Sequence, residues 1–547
     1  MITLKRKLLI LITFLIPVFF IISPLSNMFS EIFIFENGRI STSSLKRFLS
    51  EEDFSLVILR SIAFAFFSSL ISSVLGLTSA LCLARFKMRW KSFYLSAGAI
   101  PFLLPSFLPC VVGVKLFGFS GFLSEKIKIL LGVWGDSITI FSFSGAVITQ
   151  SLILIPFTFY PVYFSLKISG KAMYNQLRLE TSNIKSVLIS AFHQAGSAMK
   201  LGFFIAFLRA LVEFQIPDLL LIKVFSVKIY TQFSSFYDFG GAVVYSIPLL
   251  LILCLFIYLI FRVKKDEYYP SVTSEWEIQD ELKIGRFEVF PQIICFSILI
   301  LPILTEIGFI VWWAFSSGTF FKAILSAKSE ILTTISLGII SGFTILFFSI
   351  IPSYTLKFNF KYKLLLIFIL ALPLTLPAPL FGIGMIKLWN RHFLFMDKVY
   401  HSPLILILCW VTLFLPFGIF LLRLGFREVG EDLEDAAKID GASFIQRLKY
   451  IYLLPLKNYF ISVFLIGTIF SFSEIGGTIL VTPPGYTTLS VRIFTLLHYG
   501  LDDFVSALCL MQIILILPII FLIYKFFSIR EYSGKEVEAA VKNKISS

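Results

Sequence analysis

Two carboxylates stand in otherwise apolar surroundings, Glu213 in "VEFQIPDLLL" (212–221) and Glu474 in "SEIGGTILV" (473–481). A carboxylate in such a segment is costly unless it meets water, a partner or a cargo, so each is a candidate for the lining of a solute path. Paired, they would suit a cationic or metal cargo. The bland alternative is structural: Arg209 stands one turn before Glu213 and can neutralise it as an i,i+4 ion pair. Phe470 holds the corresponding place before Glu474, which leaves that carboxylate without the same partner. Catalysis fits poorly. No nucleophile stands beside a base, and the four histidines (His193, His392, His401, His498) are scattered. The six cysteines lie in or beside apolar runs without a CxxC pair. We expect no catalytic residues and no metal-ligand set.

The elements that must position these carboxylates are membrane spans. The chain has 547 residues, 57% hydrophobic and only 15% charged, with a mean hydropathy of +0.90. Soluble domains carry about a quarter charged residues. The net charge of +14 is not a nucleic-acid footprint, because the basic residues cluster in short segments between apolar runs, such as Lys5–Lys7, Arg85–Lys91 and Lys357–Lys363. That placement follows the positive-inside rule. Apolar runs of about 20 residues predict twelve spans, near 8–29, 55–84, 92–118, 138–166, 201–222 and 241–261, then 290–313, 330–352, 364–389, 402–422, 459–481 and 504–527. The first is read as a retained span, and the even count places both termini in the cytosol.

The two halves repeat each other. "PFLLPSFLPCVVGVKL" (101–116) lies over "PLTLPAPLFGIGMIKL" (373–388), and "SVKIYT" (226–231) over "SVRIFT" (490–495). A further match lays "VEFQIPDLLL" (212–221) over "SEIGGTILV" (473–481), which aligns Glu213 with Glu474 and Leu219 with Leu480. Six spans per half give both halves one orientation, a parallel repeat about an axis along the membrane normal. The expected organisation is a first half over 1–261, a cytosolic linker over 262–289, a second half over 290–530 and a cytosolic tail over 531–547. Gly476-Gly477 and the proline-rich third and ninth spans are expected to break or kink helices beside the path. Lys228 and Arg492, repeat mates on the outer side, are candidates to contact a delivery protein, with interfacial anchoring as the plainer role.

One stretch does not read as a span. "GEDLEDAAKIDGASFIQRLKYI" (430–451) is acidic, alanine-bearing and broken by a glycine, between spans ten and eleven. Acidic residues at its start and Gly441 at its end predict a short water-facing helix. Ala436 and Ala437 would let another surface approach the backbone, and Gly441 would supply a conformation or closeness that a Cβ hinders. A second helix would then leave at an angle, with Pro455 before the next span.

This segment resembles the EAA signature of ABC-transporter permeases of the binding-protein-dependent import type. Glu434, Ala436, Ala437, Asp440, Gly441 and Ala442 match "EEAAxxDGA", with Asp435 in place of the second Glu. Ile451, Leu453 and Pro455 resemble its I-x-L-P end, the proline one residue late. The resemblance implies an all-α membrane protein of two MetI-like permease halves, with 423–457 as the coupling loop that seats in a cytosolic ATPase. The first-half loop, 175–200, keeps Glu180 but has Thr181 and Ser182 for the alanines and Ser186 near the glycine position. One well-formed and one degraded elbow imply an asymmetric engine.

The fused halves and the tail "TLSVRIFTLLHYG" (488–500) are similar to ferric-iron, thiamine and 2-aminoethylphosphonate importer permeases. The implied partners are two cytosolic ABC ATPase subunits and a periplasmic or lipoprotein solute-binding protein, at the bacterial inner membrane. No G-x-x-x-x-G-K-[ST] occurs, so ATP would be bound by the partner and the chain itself needs no cofactor. The competing reading is an ion-coupled secondary transporter, which also commonly has twelve spans in two halves but leaves the Gly441 elbow unexplained.

Overall fold

The computed structural model describes residues 2–29, 34–36, 39–41, 52–119, 121–131, 139–168, 183–262, 289–316, 318–358, 360–429, 431–453, 455–499 and 503–545. Glu180 and nearly all of the linker lie outside them. The first half comprises α1 (Ile2–Pro17), a π-helical turn (Val18–Ile22), α2 (Ser23–Phe29), α3 (Glu52–Arg85), α4 (Lys91–Ala97), α5 (Ile100–Leu103), α6 (Leu108–Phe117), α7 (Phe122–Leu131), α8 (Phe143–Ile168), α9 (Asn183–Leu211), α10 (Gln215–Leu219), α11 (Phe225–Ser234) and α12 (Phe239–Arg262). A short antiparallel hairpin, β1 (Ile34–Glu36) and β2 (Arg39–Ser41), follows α2.

The second half runs through α13 (Val289–Cys295), a second π turn (Phe296–Ile300), α14 (Leu301–Ser316), α15 (Phe320–Ser326), α16 (Lys328–Thr355), α17 (Lys363–Thr375), α18 (Ala378–Trp389), α19 (Leu394–Tyr400) and α20 (Leu404–Glu428). Then come α21 (Glu431–Ile439), α22 (Phe444–Arg447), a third π turn (Leu448–Leu453), α23 (Lys457–Ser473), α24 (Thr478–Val481), α25 (Leu489–Tyr499) and α26 (Asp503–Ile545).

Eight helices among the described residues are long and apolar enough to cross a membrane, or ten if two bent pairs each count as one span. Helices α9 and α12 stand in chain order where the fifth and sixth spans are predicted, though neither meets that measure among the described residues, and the all-α, multi-pass architecture is compatible with twelve spans. Each half is built on a packed trio, α3–α8–α9 in the first and α16–α20–α23 in the second. Small residues permit these approaches, as membrane helices require. A Cβ on Gly342 would lie 2.3 Å from Thr468 Oγ1 and 2.7 Å from Phe464 O.

The repeat extends to single hydrogen bonds. Ser61 Oγ in α3 accepts from Phe225 N (2.9 Å), and Thr334 Oγ1 in α16 accepts from Leu489 N (2.8 Å). Both bonds tie the start of a repeat-mated helix to the corresponding span. The first span of each half also packs across the boundary: α1 and α2 lie on α16 and α18, while α13 and α14 lie on α3 and α6. Each carries a π turn midway, a local widening of the helix.

Three predicted features are resolved by this architecture. The ninth span breaks at Leu376-Pro377, and α17 and α18 meet at 107°. The third is interrupted over 104–107, around Pro105, between α5 and α6. The first-half loop continues into its span, because α9 is one helix from Asn183 and includes Ser186. No proline lies within it, and its internal glycines, Gly196 and Gly202, do not interrupt it.

Candidate functional site

Glu213 and Glu474 come to one place. They line a central cavity of about 440 Å³ between the halves, with walls from α5, α9, α17, α20 and α23 and from the two interrupted spans. Most of the lining is apolar. Glu213 is buried, with Arg209 Nη1 2.7 Å from its Oε2 and Gln215 N donating to its Oε1 at 3.0 Å. The i,i+4 pair anticipated from spacing is therefore present.

Glu474 finds partners that no i−4 residue could supply. Helix α23 ends at Ser473, and the carboxylate accepts from Gly477 N (2.8 Å), Thr478 N (2.8 Å) and the Thr478 hydroxyl. It caps the short helix α24 from within the helix break, a placement favoured for an anion at a helix start. Gly476 and Gly477 allow the broken ninth span to touch this turn. A Cβ on Gly476 would stand 3.0 Å from Pro379 Cδ, and one on Gly477 would stand 2.9 Å from Cys409 Sγ. Buried Ser473 Oγ and Gln215 Oε1, which have no hydrogen-bond partner among the described residues, also belong to this lining.

A second cavity of about 370 Å³, lined in part by Arg423 and Arg427, lies between the central one and the elbow end of the bundle. Phe102, Phe414, Phe417 and Phe470 line both. Phe470 stands 5.3, 5.2 and 5.1 Å, between ring centroids, from Phe102, Phe414 and Phe417. Residues from both halves thus form an aromatic partition between the two cavities. Sequence reading missed it because single phenylalanines in a chain with 64 of them carry no signal.

At the elbow, α21 ends in a Schellman arrangement: Asp440 N donates to Ala436 O (3.0 Å) and Ala442 N to Ala437 O (2.9 Å). Gly441 has φ +79° and open space where a Cβ would sit, so its requirement here is conformation rather than closeness. Ser443 and Gln446 then form a reciprocal capping box for α22, with bonds of 2.7 and 3.3 Å. The following helical segment, Ile445–Leu453, meets α23 at 92°. Asp435, Ala436, Asp440 and Gly441 are exposed, whereas Ala437 and Ala442 are half-buried.

Glu434 points the other way. It is 1% exposed and 3.2 Å from Lys357 Nζ, itself 4% exposed, and it accepts from the hydroxyls of Tyr354 and Tyr452. Lys357 also donates to Val429 O at 3.2 Å. This anchor fastens the elbow to the end of α16. The partners Tyr354 and Lys357 are 80 and 77 positions away in sequence, so no local spacing announces them.

At the opposite end, Arg492 is engaged within the second half, to Glu330 and to Ser326 O (2.8 Å). Lys228 is half-buried, with its ammonium 6.0 Å from the centre of the Tyr245 ring. Among the contacts that join the halves there are Lys115 to Asp503 at 2.8 Å and His498 Nε2 to Asp218 Oδ2 at 3.1 Å. The Asp218 carboxylate holds the His498 imidazole above its ordinary pKa.

Residues 335–531, the span that holds the elbow and the Glu474 turn, match the family described as binding-protein-dependent transport system inner membrane component. Among similar proteins are the 2-aminoethylphosphonate transport system permease protein PhnV of Salmonella paratyphi A, 36% identical over 76 residues (14% of this chain, 29% of that protein), and the trehalose/maltose transport system permease protein MalF of Thermococcus litoralis, 33% identical over 106 residues (19% and 36%). These matches span about a third of each relative's length. The second half of this chain is thus similar to the binding-protein-dependent import permeases.

Proposed function

We propose that this chain forms the translocation path of an ATP-driven importer and is worked through the Gly441 elbow by separate ATPase subunits. The observation that carries the reading is the link between elbow and path. Glu434 fixes α21 to α16, and α16 is packed on α20 and α23, two of the walls of the central cavity. Force applied at exposed Ala436 and Asp440 therefore has a stiff route to the Phe470 partition. Two cytosolic ATPases and a solute-binding protein on the far side complete the machine in the bacterial inner membrane, with both termini cytosolic. ATP binds to the partner, and this chain contributes neither a nucleotide site nor a cofactor. The organisation follows the repeat: one permease half to residue 261, a linker to 289 and a second half to about 530. The exposed face of 435–442 is the main docking surface, and the loop bearing Glu180 is a weaker one.

The solute is small, in the range that ferric iron, thiamine and 2-aminoethylphosphonate span. The polar groups of the central cavity favour an organic solute bearing both charges, which could exchange its own charges with those of the Arg209–Glu213 pair, while the Glu474 oxygens are held by α24. The PhnV relative, named for 2-aminoethylphosphonate transport, is in keeping with that class. Purification from its native membrane with associated proteins, followed by uptake in proteoliposomes, tests the reading. A co-purifying ATPase and uptake that stops without ATP are expected. Uptake by this chain alone, driven by a pH gradient, would establish an ion-coupled secondary transporter instead.

A further inference from the structure

A third intramembrane carboxylate, Glu306 in α14, serves neither the central cavity nor the elbow. It lines a separate cavity of about 520 Å³, enclosed by the first span of the second half and by α6 and α8 of the first. Leu104, Pro105 and Ile153 form the wall shared with the central cavity. One Glu306 oxygen is fully buried and accepts no hydrogen bond among the described residues. A buried carboxylate oxygen without a hydrogen-bond donor is costly to hold in a bilayer.

The rest of the lining shows what would relieve it. Its polar side chains are hydroxyls whose protons are mostly committed: Thr149 Oγ1 donates to Gly145 O (2.8 Å), Ser142 Oγ to Thr139 O (2.8 Å) and Thr305 Oγ1 to Pro302 O (2.9 Å). The Ser144 hydroxyl lies 3.1 Å from Ser142 Oγ. A hydroxyl that has given its proton still presents lone pairs. Among the described residues, no Lys, Arg or His lines the cavity. The walls therefore offer acceptors and one negative charge, with apolar surface between them. Ile148 and Thr305 are exposed at its edge, so the cavity opens sideways, toward lipid in a membrane.

We propose that this cavity binds a primary ammonium group carried on an apolar chain, with Glu306 as its counter-ion. A primary ammonium brings three donors to a wall of acceptors, whereas a quaternary ammonium brings charge without donors. The same chemistry is available from an aminolipid headgroup of the ethanolamine type and from a free alkylamine. The site is distinct from the transport path and stands whether or not the importer reading does.

The test uses the full chain in lipid nanodiscs, titrated with dodecylammonium, dodecyltrimethylammonium and dodecanol while thermal unfolding is followed. Saturable stabilisation by dodecylammonium alone is expected, with affinity about tenfold or more weaker in Glu306→Gln, which loses the charge-assisted contact. Native mass spectrometry in nanodiscs of phosphatidylethanolamine or phosphatidylglycerol separates the sources. Glu306-dependent retention of phosphatidylethanolamine assigns the site to lipid, and its absence beside dodecylammonium binding assigns it to a free amine. Equal stabilisation by the trimethyl compound, which needs no variant to measure, overturns the proposal. So does equal dodecylammonium affinity in wild type and E306Q.

Discussion

Replacing Glu434 with Ala should release the elbow from the bundle. The substitution removes the partner of a 4%-exposed ammonium and the shared acceptor of two tyrosine hydroxyls. Taking away one member of a buried ion pair costs about 3–5 kcal/mol, because the other charge stays behind unpaired. At about 1.4 kcal/mol per decade, local opening of the elbow should become roughly two to nearly four decades more frequent. Amide hydrogen exchange of the purified chain reads this directly. Peptides covering 431–453 should lose protection by that factor or to full local exposure, while those from α20 should change little.

Substituting both members by apolar residues, Glu434→Met with Lys357→Met, should recover part of the protection, since no isolated charge remains. Loss of less than about tenfold in Glu434→Ala would mean that packing of Phe426 and Tyr452, whose rings stand 5.0 Å apart, holds the elbow without the ion pair. The anchor would then have no part in force transfer.

Gly441→Ala and Gly441→Leu should destabilise the elbow alike, by about 1–2 kcal/mol, because φ +79° is the obstacle and the space is open. Only the bulkier change should further reduce ATPase-coupled transport, and the same change at Ser186 should matter far less; equal loss at both positions in transport assays would defeat the asymmetry. Phe470→Ala removes three ring contacts worth about 0.5–1.5 kcal/mol each, so solute leak through the protein without ATP should rise by roughly one to three decades in a vesicle efflux assay. An unchanged leak would show that the phenylalanines do not seal the path. For the contact between the halves, the raised His498 pKa means that its stabilisation is full below about pH 6.5 and is lost as pH rises through the folded value. An NMR titration of His498 should give a midpoint above 6.5 that falls in Asp218→Asn, and identical midpoints would count against the pair.

The twelve-span plan, the parallel repeat and the family signature were legible because they are local or periodic. Apolar runs fix span length, and the 101–116 and 373–388 match needs only the chain written twice. The Arg209–Glu213 pair was foreseeable for the same reason, since i,i+4 spacing on a helix decides it. What Glu474 does was not. Its i−4 residue is Phe470, and its partners exist only because α23 stops and the backbone of 477–478 turns back. Gly441 left two readings open in sequence, and its φ with empty surroundings selects conformation.

Composition and periodicity by themselves determined that the chain lives in a bilayer, that it is doubled, and that one acidic elbow interrupts its second half. Each of those is set by free energies of transfer and by helix geometry, which act on neighbours along the chain. Tertiary structure alone decided that Glu434 faces inward to Tyr354 and Lys357, that four phenylalanines from both halves meet between two cavities, and that Glu306 lines one cavity with hydroxyl-bearing residues of the other half. Those juxtapositions join residues tens to hundreds of positions apart, and they form only where packed helices bring distant surfaces within a few ångströms.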